Sequence, residues 1–139
     1  MEADESLALA IGAARRSSTL FVLFIPSRTR FDGPIDQMFW VRETLSVLGR
    51  LFGGATAYPK GEGVWLDKGQ DAELGGKLLF DEPVVVQSYT SEETILAKKD
   101  ALRSFLVRLG SEAQQAAVGF VIDHDYMEIQ SDSEGRATH

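Results

Sequence analysis

Phe52-Gly53-Gly54-Ala55-Thr56-Ala57-Tyr58-Pro59-Lys60-Gly61-Glu62-Gly63-Val64-Trp65-Leu66 is the stretch on which the fold turns. A helix has to stop in it, a strand has to start, and the strand is then interrupted. Gly53 and Gly54 supply positive φ at little steric cost, which lets a helix end and the backbone turn. Thr56 and Tyr58 alternate with Ala55 and Ala57, the period of two expected of a strand with unlike faces. Pro59, Gly61 and Gly63 break that ladder before Val64-Trp65-Leu66 resumes it. Breaks of this kind bulge or bend a strand and re-aim its side chains. Tyr58 and Trp65 are therefore the first candidates for a site.

Working back from this pivot, Met38, Val41, Leu45, Leu48 and Phe52 recur at spacings of three and four, the apolar stripe of a helix. Gly33-Pro34 reads as its start, with Asp36 in the first turn. Phe39 and Trp40 widen the stripe, which suits either a subunit contact or burial under the N-terminal segment. Thr19-Leu-Phe-Val-Leu-Phe-Ile25 is a continuous apolar run closed by Pro26, the pattern of a central strand buried on both faces. Residues 1–18 carry acids first and Arg15-Arg16 last, which suits a short helix or a frayed segment.

Working forward, residues 67–76 are a polar, glycine-rich loop. Residues 77–89 read as strand, broken at Pro83, which cannot donate to a ladder. Thr90-Ser-Glu-Glu93 has the form of a capping box opening a helix. Ile95, Leu102, Phe105, Leu106 and Leu109 continue that helix, and Gly110 reads as its end. Residues 117–123 and 126–129 are strands joined by Asp123-His124-Asp125 as a tight turn. Residues 130–139 have no apolar spacing and read as a disordered tail.

The order strand, helix, broken strand, strand, helix, strand implies an α+β fold of the ferredoxin-like split βαβ kind. Its antiparallel sheet would carry two helices on one face, with a short C-terminal hairpin. Residues 1–18 would be an N-terminal helical or frayed segment, 19–129 the single domain and 130–139 the tail. The second sheet face would be left bare, so a homodimer stacking or extending the sheet is expected. The chain is 139 residues long with a net charge of −7 and no cysteine. That balance argues against a nucleic acid or an anionic membrane as partner. It also removes thiolate chemistry and Cys-ligated zinc. An acidic start with no leader and no membrane-length apolar run points to the cytoplasm.

Gly54 to Thr56, Gly63 to Trp65, and Glu82-Pro83 before a valine-rich strand form a Gly-x-Thr, Gly-x-Trp, Glu-Pro pattern. In it the chain resembles a family of small uncharacterised bacterial proteins of unknown function. The resemblance covers roughly the middle third and implies the same α+β fold, with no agreed activity.

Candidate chemistry is sparse. Tyr58, Trp65 and Glu82 could line a pocket, with the two rings stacking on a ligand and Glu82 orienting it or moving a proton. Arg28 and Arg30 could clamp an anion with the following helix start, or simply balance local acids. His124 lies between carboxylates, but the turn explains those residues better than a metal does, so neither a metal nor a cofactor is expected. No phosphate-cradling loop or nucleophile elbow is present. The leading expectation is a non-catalytic, homodimeric binding protein for a small molecule or a protein partner. The alternative is a small-molecule enzyme of the dimeric α/β-barrel type that uses Glu82 or His124 for proton transfer.

Overall fold

Strand β1 (Thr19–Ile25) alternates along its whole length. Thr19, Phe21, Leu23 and Ile25 are buried on one side, while Leu20, Val22 and Phe24 point to the other. The remaining elements of the computed structural model, which describes residues 3–131, assemble on this strand. Helix α1 (Ala3–Ile11) precedes it, and Leu7, Leu9 and Ile11 remain exposed there. After it come α2 (Gln37–Phe52), β2 (Thr56–Ala57), β3 (Gly63–Asp67), β4 (Lys77–Asp81) and β5 (Val84–Thr90). Helices α3 (Glu92–Ala97) and α4 (Lys99–Glu112) follow, then strands β6 (Ala117–Ile122) and β7 (Asp125–Gln130).

The main sheet has the order β2-β5-β1-β6-β7 and is antiparallel throughout. Its first four strands, with α2 and α4 as crossovers, make the ferredoxin-like split βαβ arrangement expected from the element order. β7 extends the β6 edge as the C-terminal hairpin. Phe21, Leu23, Val86, Leu48, Leu106 and Leu109 form the centre of the core between sheet and helices. Phe21 contacts the rings of Phe52 and Phe120 at 5.8 and 5.7 Å between centroids. Each such fully buried side chain contributes about 1.5–3 kcal/mol.

Several local expectations are corrected. Helix α2 begins at Gln37, not at Gly33-Pro34, because Asp36 caps it by accepting from the Phe39 amide at 3.1 Å. Its inner face is Gln37, Trp40, Val41, Thr44 and Leu48, whereas Met38 is exposed. Polar residues are tolerated there because they are satisfied. The Gln37 carboxamide donates to the carbonyls of Ile25 and Glu82, and the Thr44 hydroxyl donates to Trp40 O. Trp40 is buried against Phe105 and lies beneath the Arg108 guanidinium, so it serves the helix pair. The cap of α3 is Ser91, which accepts from the Thr94 amide; Thr90 is the buried last residue of β5. Lys98 separates α3 from α4. Gly110 does not end the helix but allows close packing, since a Cβ there would come 3.0 Å from Val118 and meet Ser131. Of the expected tail, Gln130 belongs to β7 and the Ser131 amide donates to Ala116 O, while 132–139 lie outside the described residues.

The largest correction concerns the pivot. The two strand segments on either side of Pro59 to Glu62 enter different sheets, and so do those on either side of Pro83. β3 and β4 pair only with each other, as a separate two-stranded ribbon. That ribbon leans over one end of the sheet face opposite the helices, so this face is not bare along its whole length. Among the described residues, no helix is long and apolar enough to cross a membrane.

Candidate functional site

A cleft of about 610 Å³ opens between the ribbon and the helix-free face of the sheet. Strand alternation decides what enters it. On the sheet side, β1 presents Phe24, β6 presents Ala117 and Gly119, and β7 presents Tyr126 and Glu128. The ribbon presents Trp65, Asp67, Leu79 and Asp81, residues in mutual register along one of its sides. Their neighbours Val64, Leu66, Leu78 and Phe80 are all exposed, mostly towards the outer side.

Two polar clamps hold the ribbon to the loop after β1. Asp81 accepts from the Ser27 amide at 2.7 Å and from the Ser27 hydroxyl, and Ser27 Oγ accepts from the Glu82 amide. Asp67 receives a forked pair from Arg30, Nε to Oδ2 at 3.0 Å and Nη2 to Oδ1 at 2.9 Å. Gln70 and the Gly69 amide donate to the same carboxylate at 2.8 and 2.9 Å. The two side chains of the ion pair are only 14% and 4% exposed. Burial by itself would raise the Asp67 carboxyl. The bonds from Gln70, Gly69 and Arg30 outweigh burial and hold it below the ordinary value.

The floor is aromatic. Trp65 stacks on Tyr126 at 6.3 Å and 28°, and meets Phe24 at 6.2 Å and 69°. Tyr126 donates its hydroxyl to Glu128 Oε2 at 2.9 Å. Burial, and then the neighbouring Glu128 carboxylate, push the Tyr126 phenol above its ordinary value. Among the described residues, no Lys or Arg forms an ion pair with Glu128. Aromatic faces beside a carboxylate suit a flat or cationic ligand, through stacking and cation–π attraction.

The expected site residues are divided by this geometry. Trp65 lies in the cleft. Arg30 lines it too, with Nε and Nη2 of its guanidinium engaged by Asp67. Arg28 is exposed on the loop, 3.5 Å from Asp32. Tyr58 is on the same sheet face but outside the cleft, where its hydroxyl accepts from Gln87 at 2.9 Å. Glu82 also lies outside the cleft, with an exposed side chain; its backbone serves Ser27 and Gln37. His124 is exposed in the β6–β7 turn, where Asp123 takes a φ of 56° and accepts from the Leu20 amide. No group of three His, Cys, Asp or Glu suited to a metal ion occurs among the described residues.

Sequence reasoning missed Phe24, Gly119, Tyr126 and Glu128. One signal was available for the last two. Met127 and Ile129 are the apolar positions of the last strand, so Tyr126 and Glu128 must share the opposite face.

No family profile and no curated protein matches this chain. Among solved structures it is similar to a phage SAM lyase in complex with S-methyl-5′-thioadenosine, with a TM-score of 0.62 and 16% identity. That match covers 84% of this chain and 95% of the other. A phage SAM lyase in the apo state is also similar, with a TM-score of 0.59, 16% identity, and coverage of 84% and 91%. At such identity the likeness establishes a shared fold.

Proposed function

We propose that this chain is a small-molecule enzyme that cleaves a carbon–sulfur bond of an S-adenosyl sulfonium such as S-adenosylmethionine. The observation that carries the reading is the cleft itself, with Trp65, Tyr126 and Phe24 around a carboxylate that has no ion-pair partner among the described residues. Its volume is in the range that encloses a nucleoside-sized ligand. The fold shared with a SAM lyase supports the same direction.

The reaction asks little of the protein. The electron pair of the broken bond stays on sulfur, which becomes a neutral thioether. The substrate's own carboxylate closes on the carbon that sulfur leaves, so no water or external base is consumed. What the site must do is orient the chain and exclude water. Glu82 and His124, the proton-transfer residues of the sequence-based alternative, lie outside the cleft, so no proton is routed through them. The enzyme is further proposed to act as a homodimer.

Incubation with S-adenosylmethionine, followed by mass spectrometry, tests the reading. It expects S-methyl-5′-thioadenosine to accumulate with time, and to stop doing so when Trp65→Ala removes the aromatic wall. Saturable binding without turnover would favour the non-catalytic binding protein. Absence of both would overturn the proposal.

A further inference from the structure

Gly119, Tyr126 and Glu128 come together on the cleft side of the β6–β7 hairpin. Gly119 pairs with Glu128 across the β6–β7 ladder. A Cβ at Gly119 would fall on the Tyr126 hydroxyl and within 2.8 Å of ring carbons Cε1 and Cζ. Only glycine therefore lets the Tyr126 ring lie down across β6. In that pose the ring stacks on Trp65 and its hydroxyl reaches Glu128 Oε2 at 2.9 Å. One carboxylate oxygen is thus held, and a full negative charge stands at the edge of an aromatic floor. The other charges of the cleft are accounted for differently. Asp67 is matched by Arg30 and Asp81 is bound by Ser27, while Lys68, just after β3, also lines the cleft and forms no ion pair with Glu128.

We infer that Glu128, held in place by Tyr126 lying across Gly119, reads the positive charge of the ligand, so that the cleft selects a sulfonium over the neutral thioether of the same shape. This specificity-determining role rests on the function proposed above, and it deepens that reading by naming the group that recognises the charge. It also gives the product a way out: once sulfur is neutral, the attraction to Glu128 is gone while stacking remains.

The test compares S-adenosylmethionine with S-adenosylhomocysteine, which differ by one methyl group and one charge. Binding is read by quenching of tryptophan fluorescence in the first seconds of mixing, with trimethylsulfonium as a third probe that carries no nucleoside. The wild-type protein should prefer S-adenosylmethionine by about two- to fivefold, the scale of a contact between opposite charges at a solvent-exposed carboxylate. Glu128→Gln should bring that ratio towards one by weakening S-adenosylmethionine and trimethylsulfonium alone. Tyr126→Phe, which keeps the carboxylate but frees it, should retain a smaller preference. If Glu128→Gln preserves the wild-type ratio, or weakens both adenosyl ligands equally, the inference is overturned while the proposed reaction stands. If no adenosyl compound binds, the proposed substrate is lost. A trimethylsulfonium response that depends on Glu128 would then still support the charge reader, and its absence would overturn that as well.

Discussion

Asp67 shows how a single residue can belong to the fold and to the site at once. Its carboxylate is nearly inaccessible and accepts from Arg30, Gln70 and Gly69, so it joins the ribbon to the loop after β1. Removing one partner of a buried pair leaves the other charge uncompensated, which costs about 3–5 kcal/mol. Asp67→Asn should fall near the lower end of that range at neutral pH, because the amide oxygen still accepts one bond. The folded carboxyl titrates below its unfolded value of about 3.9. Its contribution is therefore complete above the unfolded value and is lost as the pH falls through the folded one. Thermal unfolding of the two proteins should differ most at pH 6–7, and the gap should narrow as the pH approaches 3. A gap that stays constant would mean the charge is not what stabilises the clamp. Trp65 is the contrasting case, since it is only half-buried and packs on Phe24 and Tyr126. Trp65→Ala should cost less than the roughly 3–5 kcal/mol of truncating a fully buried aromatic such as Phe21. Denaturant unfolding of Trp65→Ala beside Phe21→Ala separates a wall residue from a core residue.

At the scale of elements, the β3–β4 ribbon is held to the rest of the molecule by side chains, through Ser27–Asp81, Arg30–Asp67 and the Trp65 ring. Such an element should open locally at lower free energy than the core strands. Ser27→Ala combined with Asp81→Asn is expected to speed amide exchange across 63–67 and 77–81 and leave β1 and β5 protected. Equal acceleration in both sheets would show that the ribbon and the core unfold as one unit. The helix caps offer a second check. Ser91→Ala should cost about 1 kcal/mol through the lost cap, and Gly53→Ala a similar amount, because Gly53 holds a φ of 94° at the end of α2. These breaks were legible in the sequence, from the paired glycines, Pro59 and Pro83. Where the chain goes after each break was not. Leu78, Leu79 and Phe80 are apolar in succession, so β4 shows no clean alternation and assigns itself no face. Nothing local distinguishes a strand resuming in its old sheet from one that starts another. The capping box went wrong for a related reason. Thr90 and Ser91 are both good caps, and the β-ladder, by continuing to Thr90, leaves Ser91 the first free position.

For the whole molecule, element order carried the main sheet, because the right-handed crossovers allow few arrangements of two βαβ units. The cleft was much less visible. Phe24, Trp65 and Tyr126 come from β1, β3 and β7, and they meet only once a ribbon that, among the described residues, pairs with no strand of the main sheet folds across it. The ribbon also changes where self-association should be sought. It covers part of the face that was expected to stack, yet its own outer side carries Val64 and Leu66 at 50% exposure, Leu78 at 57% and Phe80 at 71%. In register these form two apolar cross-strand pairs, Val64 with Phe80 and Leu66 with Leu78. A strip of this kind is costly to leave in water, and its two-stranded ribbon is marginal by itself. The proposed homodimer would remove both problems by packing ribbon on ribbon, with Leu20, Tyr58 and Tyr89 of the sheet as the competing surface. Sedimentation at micromolar concentration should then show a dimer or a larger species. Phe80→Asp should shift it to monomer without lowering the unfolding midpoint of the monomer, because Phe80 touches nothing in the core cluster. Tyr89→Asp should leave the assembly intact. A wild-type protein that sediments as a monomer at all concentrations would remove the homodimer, and one dissociated by Tyr89→Asp alone would move the interface back to the sheet.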